Sequence, residues 1–214
     1  AGYFSNLISI TVLTFYLLKS YVFLYVQFKR LVGNPWLNVG TVRMPIFNEI
    51  GFNTLRWIIN GEYECGEAAI LNNSLQKEDV VLEIGTGLGF ITTICCQLTS
   101  SVQVFSFEAN PDNCALAEKV FEKNNVSPTL KNMILSNQNG KISFSKDKKK
   151  RLASSLYNQS IESVEISSMN LNEVIREINP TYLVMDIEGA EYEIFSIIDF
   201  HTIKKIQFEL HPSV

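Results

Sequence analysis

Metal ligands and disulfide partners are scarce in this chain. It holds two histidines and four cysteines, and no two cysteines form a CxxC pair. The sequence therefore argues against a structural zinc site or a disulfide framework. Cys95 and Cys96 lie in an apolar helical stretch, where a thiol packs as a small hydrophobe. A reducing compartment is the default that this cysteine usage favours.

Charge is also scarce. Charged residues make up 19% of the 214 residues, hydrophobic residues make up 46%, and the formal net charge is −4. This balance excludes a disordered chain and gives no overall attraction to nucleic acid. The one basic run, residues 146–151, is either a solvated loop or a contact to an anionic substrate or headgroup. The length suits one α/β domain with a full core.

The first thirty residues include a long apolar segment. Residues 7–28 contain a single charge, Lys19, and predict either a membrane anchor or a helix that docks on protein. Lys19 would cost a membrane span about 2.5–3.5 kcal/mol, and no Lys or Arg precedes the run as in a signal peptide. If the segment spans a membrane, Lys29, Arg30 and Arg43 place the rest of the chain in the cytoplasm. We expect a cytoplasmic protein, with membrane association through residues 7–28 as the alternative.

Strand and helix signals alternate from residue 79 onwards, which is typical of a parallel sheet with helices on both faces. We predict an apolar helix over residues 1–30, an N-terminal cap region over residues 31–78 and a Rossmann-like three-layer α/β core over residues 79–214. Asn170 and Glu173 form a predicted capping box. The predicted core has strands at 80–84, 102–107, 129–135, 182–187 and 203–210, a short hairpin edge at 142–144, and helices at 90–98, 111–124, 171–178 and 190–198.

A glycine-rich turn joins the first core strand to the first helix. Glu83 precedes it, and Gly85, Gly87 and Gly89 follow a GxGxG spacing that ends at Phe90. Glycines let the backbone turn sharply and approach a ligand, and the helix N-terminus favours a carboxylate or phosphate. The dinucleotide fingerprint is GxGxxG, and here Phe90 occupies the place of its third glycine. The spacing resembles the first motif of class I methyltransferases; the alternative is a turn that binds nothing.

Acidic residues follow two further strands. Glu108 ends the second strand, 23 positions after Gly85, where a carboxylate can accept both ribose hydroxyls of a nucleoside. Asp186, Glu188 and Glu191 follow the fourth strand, at the edge where open α/β sheets bind ligands. Acids this close repel one another unless a cation lies near, and a sulfonium or a metal ion would supply one. The alternative is an acid-rich helix N-terminus without a ligand.

Taken together, these motifs resemble the FkbM-type methyltransferase family over roughly residues 60–211. The resemblance implies transfer of a methyl group from S-adenosyl-L-methionine to a hydroxyl of a sugar, glycolipid or secondary metabolite. Two departures from the family pattern are Glu83, where Asp is usual, and Ala109, where Pro is common. The segments that carry the resemblance are Tyr63-Glu64, Glu83–Gly89, Phe107–Pro111, Asn139-Gly140, Ser154–Leu156, Asp186–Glu191 and Phe208–His211.

The resemblance also implies which residues form the site. Glu188 or Glu191 is the predicted base that takes the acceptor proton, with Asp186 nearer the cofactor and no metal. His211, after the fifth strand, is either another candidate base or part of a frayed end. The residues predicted to bind S-adenosyl-L-methionine are Glu83, Gly85, Thr86, Gly87, Gly89, Phe90, Glu108, Ala109, Ser136 and Asp186.

Two other functions stay open at this point. One is an NAD-dependent oxidoreductase, which the glycine spacing disfavours. The other is a non-catalytic, membrane-tethered module that binds a nucleoside. A small-molecule or glycan acceptor is expected for the methyltransferase, and the sequence indicates no oligomeric state.

A strand order follows from the same resemblance. Class I methyltransferases have strands ordered 3-2-1-4-5-7-6, so the five core strands here are expected in the order 3-2-1-4-5. The chain ends four residues after the fifth predicted strand and starts with Ala-Gly. We therefore expect a fragment in which the last hairpin is missing and one edge of the fifth strand is unpaired.

Overall fold

The computed structural model describes residues 2–145 and 163–211. The basic run at 146–151 and the Ser154–Leu156 segment lie outside the described residues. The chain divides into two compact units, Ala1–Tyr63 and Glu64–Val214. Each unit contains its own β-structure.

The N-terminal unit combines two helices with a β-hairpin. Its elements are helix α1 (Gly2–Leu31), strands β1 (Trp36–Val39) and β2 (Val42–Pro45), and helix α2 (Phe52–Asn60). The strands pair antiparallel, and Gly40 adopts a left-handed φ of 55° at the turn between them, as tight hairpin turns require. Val42 and Met44 are buried on one face of the hairpin while Arg43 is exposed on the other, so the hairpin covers a small core.

Helix α1 buries one side over residues 17–31, where its side chains are described. Val22 and Val26, one turn apart, are buried, and the ammonium of Lys19 lies 5.6 Å from the centre of the Phe52 ring in α2. A stripe of this kind is what a helix docked on protein requires. Within the part of the chain that the structure describes, no helix is long and apolar enough to cross a membrane. The membrane-anchor interpretation of residues 7–28 is therefore not supported.

The C-terminal unit is an α/β fold around a parallel sheet. Five strands have the order β10-β9-β3-β4-β5, and from the opposite edge this is the predicted order 3-2-1-4-5. The Rossmann-like α/β class and the strand order are therefore confirmed. The elements are helices α3 (Cys65–Ser74), α4 (Phe90–Leu98), α5 (Pro111–Asn124), α6 (Leu171–Ile178) and α7 (Glu191–Ile197), and strands β3 (Val81–Ile84), β4 (Val104–Phe107), β5 (Thr129–Lys131), β6 (Ile134–Ser136), β7 (Gly140–Ser145), β8 (Ser163–Asn170), β9 (Tyr182–Met185) and β10 (Lys205–Phe208).

The register of the sheet brings three chain segments to one edge. Ile84 at the end of β3 is level with Phe107 of β4 and with Met185 of β9. All four residues of β3 and of β9 are buried, which is the pattern of strands covered by helices on both faces. The residues that follow these strands, Gly85 and Asp186 among them, therefore meet at the carboxyl edge of the sheet.

A second, three-stranded sheet corrects the prediction of a single strand over residues 129–135. That segment forms β5 in the main sheet and β6 in a sheet of order β6-β8-β7. The break falls at Asn132, whose side-chain amide donates to the backbone carbonyls of Glu108 (2.8 Å) and Ala109 (3.0 Å). The hairpin edge predicted at 142–144 is real, and β7 pairs antiparallel with β8, a strand that the sequence analysis did not predict.

The capping box predicted at the start of α6 is also wrong in one detail. Asn170 caps the helix as predicted and accepts the N–H groups of Asn172 and Glu173. Glu173 does not return to the backbone of Asn170, because the side chain of Asn139 lies between them. Asn139 accepts the N–H of Asn170 at 2.7 Å and donates to Glu173 at 2.9 Å. A residue of the turn between β6 and β7 therefore completes the cap.

A partly buried ion pair joins β10 to the segment that precedes β3. Lys205 contacts the carboxylate of Asp79 and also donates to the carbonyl of Ser74 at 3.0 Å. Asp79 accepts two more hydrogen bonds, from the N–H of Gln76 and the hydroxyl of Thr181, each 2.8 Å long. Burial would raise the pKa of Asp79, but the hydrogen bond from Lys205 and these neighbours outweigh it and lower the pKa below 3.8. The pair thus ties the edge strand to the sheet.

We expect Asp79→Ala to lower the free energy of unfolding by about 2–4 kcal/mol, because Lys205 and Thr181 lose a buried partner. Glu165→Ala is the control: its ion pair with Lys141 has side chains 71% and 67% exposed and should contribute about 0.5 kcal/mol or less. Urea melts of the variants measure both losses. Since the pKa of Asp79 is lowered in the folded state, its contribution is complete above pH 3.8 and disappears as the pH falls below that value. Equal losses of unfolding free energy in the two variants would contradict a stabilising role for the ion pair between Asp79 and Lys205.

Candidate active site

The glycine-rich loop between β3 and α4 lies against the chain that follows β9. Gly85 has a φ of 93° and Gly89 a φ of 79°, values that favour glycine. A Cβ on Gly85 would lie 1.7 Å from the backbone oxygen of Asp186, and one on Gly89 would lie 2.7 Å from the Phe121 ring. The loop can therefore take this path only with glycine at both positions.

Glu108 is bound to this loop. One carboxylate oxygen accepts the N–H of Gly87 at 2.8 Å, and the other accepts the N–H of Asn110 at 2.7 Å. Burial raises the pKa of Glu108, and the two backbone N–H groups oppose that rise. The fold thus joins the loop and the acid that the sequence analysis had paired by spacing alone. The side chain of Asn113 also hydrogen-bonds to this carboxylate, which is 7% exposed.

Glu83 supports the loop from within the sheet. It is buried in β3, and one carboxylate oxygen accepts the hydroxyls of Thr92 in α4 and Ser106 in β4. Burial raises its pKa to about 7, although these two hydroxyls oppose the rise. The side chain therefore connects two strands and a helix beneath the loop.

An acid–histidine cluster, consisting of Asp186, Glu188, Glu191, Glu209 and His211, lies where β9 and β10 end. Nδ1 of His211 is 3.0 Å from Oε1 of Glu191 and 3.9 Å from Oδ1 of Asp186. Nε2 of His211 is 3.7 Å from a carboxylate oxygen of Glu188 and 3.7 Å from one of Glu209. The imidazole is therefore surrounded by four carboxylates.

The charges of this cluster shift one another. Burial, followed by the charge of Glu188, raises the pKa of Asp186 to about 7. Burial alone would lower the pKa of His211, but the hydrogen bond to Glu191 and the charges of Glu188 and Asp186 outweigh it and raise the pKa above 6.5. Burial would raise the pKa of Glu191, but hydrogen bonds from the N–H of Gly189 and from His211 lower it. The acids around His211 thus favour the imidazolium form of its ring over the neutral form.

Three groups of the cluster are close enough for one cation to bridge them. The ligand atoms of Asp186, Glu188 and His211 all lie within 4.8 Å of one another. Proximity alone does not make a metal site, because acids often gather at a protein surface around a positive side chain. Here the acids surround the ring of His211. The sequence-based expectation of no metal stays a prediction.

Within the described residues, two buried polar atoms at the carboxyl edge of the main sheet have no hydrogen-bond partner. Thr86 in the loop is 3% exposed, and within the described residues its hydroxyl has no hydrogen-bond partner; the same holds for Oδ1 of Asp186. Buried polar atoms in native proteins nearly always have a partner. Because Thr86 and Asp186 follow neighbouring strands, a polar ligand at this edge of the sheet would satisfy both.

The comparison with known families identifies this arrangement. A family model described as the methyltransferase FkbM domain matches residues 79–213, more than half of the chain. The chain belongs to the FkbM methyltransferase family. No curated protein matches the chain. Membership makes the protein a methyltransferase and implies a methyl donor.

The methyltransferase brings some predicted site residues together and holds others apart. Gly85, Thr86, Gly87, Glu108 and Asp186 converge at the carboxyl edge of the main sheet. Gly89 ends the same loop, and Glu188 and Glu191 lie beside Asp186 in the acid–histidine cluster. The other predicted residues lie away from this edge. Glu83 and Phe90 are buried beneath the loop, Ala109 packs against Ile134 and Phe144, and Ser136 lies in the second sheet with its hydroxyl 2.7 Å from that of Ser168.

The sequence analysis of this methyltransferase missed the partners of its buried acids. Ser106 is the one polar residue of an otherwise apolar strand, and the register places it opposite Glu83. That single hydroxyl in an apolar run was the available signal. The contact between Glu191 and His211 joins residues 20 positions apart and left no local signal, because it depends on how α7 and the chain after β10 meet.

We expect Gly85→Ala to reduce the free energy of unfolding of the methyltransferase by at least about 2 kcal/mol, because the new Cβ meets the carbonyl of Asp186 and the left-handed φ strains alanine. Gly66→Ala is the matched control. Gly66 lies in helix α3 with nothing within 4 Å of its added Cβ, so alanine there should leave the stability unchanged or raise it by up to about 1 kcal/mol. Chemical denaturation measures both. A Gly85→Ala protein as stable as the parent would refute the described loop path.

Proposed function

We propose that the protein is an S-adenosyl-L-methionine-dependent methyltransferase that methylates a hydroxyl group of a sugar, glycolipid or secondary metabolite. The observation that carries the proposal is the hydrogen bond from the N–H of Gly87 to Glu108. It places a carboxylate suited to ribose hydroxyls beside a glycine loop that opens a helix. When bound, S-adenosyl-L-methionine would supply a methyl group on a positively charged sulfur.

The unpaired polar atoms support a ligand of this kind. Glu108 would accept the ribose hydroxyls, and the hydroxyl of Thr86 would find a polar partner on the ligand. Asp186 follows the neighbouring strand, and its carboxylate would favour a nearby positive charge. The loop, Glu108 and Asp186 thus offer the three kinds of contact that a sulfonium nucleoside needs.

The exposed acids of the acid–histidine cluster support a neutral hydroxyl acceptor. The side chains of Asp186, Glu188 and Glu209 are 43%, 41% and 50% exposed, so their carboxylates can accept hydrogen bonds from an arriving polyol. The same negative charge disfavours an acceptor that carries phosphate or carboxylate. An uncharged sugar or polyketide-like hydroxyl fits this site better than an anionic one.

S-adenosylhomocysteine, the product form of the cofactor, should raise the melting temperature of the protein. At about 100 times its Kd the gain is about 2.7 kcal/mol, which corresponds to about 5–10 °C. Glu108→Ala and Gly87→Val should each abolish most of this shift, the second because its side chain blocks the approach of a ligand to the backbone. Glu118→Ala, an exposed acid on α5, should keep the shift.

The same thermal-shift experiment separates the alternatives. NADH should leave the melting temperature unchanged, whereas an NADH shift without one from S-adenosylhomocysteine would favour an oxidoreductase. Equal shifts in the parent, Glu108→Ala and Gly87→Val proteins would refute the assigned cofactor site. Retained cofactor binding without methyl transfer to any hydroxyl would favour a binding module.

We expect methyl transfer to proceed without a divalent metal, because the acids of the acid–histidine cluster are already arranged around the ring of His211. Excess Mg²⁺ or Mn²⁺ should shift the melting temperature by less than about 1 °C, and a chelator should not lower the rate. A chelator-sensitive rate that added Mg²⁺ restores would instead assign the cluster to a metal ion.

A further inference from the structure

A buried carboxylate holds the imidazole of His211 in one orientation. Glu191 is 1% exposed, and its Oε1 lies 3.0 Å from Nδ1 of His211 while it accepts the N–H of Gly189 at 3.1 Å. An ionised carboxylate only accepts hydrogen bonds, so Nδ1 must carry the proton in this contact. In the neutral ring the single proton is thereby fixed on the buried side.

The other ring nitrogen keeps a lone pair. Nε2 of His211 lies 3.7 Å from the nearest oxygens of Glu188 and Glu209, which is too far for a hydrogen bond. The side chains of these two acids are 41% and 50% exposed and that of His211 is 24% exposed, so Nε2 lies beside the solvent-exposed acids of the cluster. A hydroxyl that enters the cluster can reach Nε2, whereas the carboxylate of Glu191 is enclosed by protein.

We propose that His211 is the general base that takes the proton of the acceptor hydroxyl and that Glu191 is the residue that positions it; this rests on the proposed function. As the acceptor oxygen forms its bond to the methyl carbon, the bond from that carbon to sulfur breaks and its electron pair stays on sulfur. The hydroxyl proton passes to Nε2 of His211. The acceptor becomes a neutral methyl ether, and the positive charge that was on sulfur is carried by the imidazolium.

The surrounding acids account for why an imidazole suits this place. Glu191 and Asp186 face Nδ1, and Glu188 and Glu209 face Nε2. These four carboxylates stabilise the imidazolium that the proton transfer creates. Glu188 and Glu191, the bases predicted from the sequence, take other roles here, because Glu191 is enclosed and Glu188 lies beside the ring that accepts the proton.

A pH dependence follows from this environment. Burial would lower the pKa of His211, but the four carboxylates outweigh burial and raise this pKa above 6.5. Only the neutral ring can accept a proton. The value of kcat/KM should therefore fall as the pH drops through this raised pKa. Removing the charge of Glu191 should lower the pKa of His211 and move the acidic limb of the profile to lower pH.

Nuclear magnetic resonance of the full chain labelled with ¹⁵N-histidine tests the positioning directly. The chain has two histidines, so His201→Gln assigns the signals of His211. The neutral ring should be the Nδ1–H tautomer, and Glu191→Gln should lower its pKa by about one unit. Glu193→Gln, which removes an exposed acid of the same helix, should leave it unchanged. An Nε2–H tautomer in the unsubstituted chain overturns the proposal, and this result needs no variant to fold.

Methyl transfer from tritiated S-adenosyl-L-methionine to neutral methyl glycosides tests the base. His211→Gln should lower kcat by about 10²–10⁴-fold, and Glu191→Gln should shift the acidic limb by the same amount as the measured pKa. Both variants should keep the thermal shift with S-adenosylhomocysteine. An unchanged kcat in His211→Gln overturns the proposal. If S-adenosylhomocysteine fails to bind the unsubstituted chain, the proposed function fails instead, whatever the tautomer of His211.

Discussion

The close approach between Gly85 and the backbone carbonyl of Asp186 sets the geometry on which the rest of the site depends. Because no side chain fits between them, the glycine loop lies directly against the chain that leaves β9. The carboxylate of Glu108 then fixes the loop from the opposite side through Gly87. The glycine loop and the acid–histidine cluster are thereby held at neighbouring strand ends, where the proposed function needs a methyl donor and an acceptor to meet.

Three buried carboxylates maintain this arrangement, and each does so by taking hydrogen bonds rather than by forming an ion pair with Lys or Arg. Glu83 accepts two hydroxyls, Glu108 accepts two backbone N–H groups, and Glu191 accepts a backbone N–H together with His211. An unpartnered buried charge would cost several kcal/mol, so these donors are as necessary as the acids. The result is a frame of buried acids, each satisfied by donors from neighbouring segments.

The sequence predicted those parts of the fold that depend on local pattern. The apolar runs of β3 and β9 and the Asn110-Pro111 start of α5 are readable because propensity, burial and capping agree within a few residues. The break between β5 and β6 was not readable, since it depends on the side chain of Asn132 meeting carbonyls 23 and 24 positions away. Likewise the glycine loop and Glu108 could be found by spacing, whereas the pairing of Glu191 with His211 arises only when the sheet brings two distant segments together.

The backbone at Glu188 has a consequence for how this protein can change. Glu188 has a left-handed φ of 52°, a conformation that costs an ordinary residue about 1–2 kcal/mol and that glycine and asparagine adopt more easily. The backbone conformation at this position therefore favours glycine or asparagine, whereas the position beside the imidazole of His211 favours an acid. A library selected for heat resistance should enrich glycine or asparagine at this position, and one selected for turnover should retain the acid. Selection for stability and selection for activity therefore favour different residues at position 188.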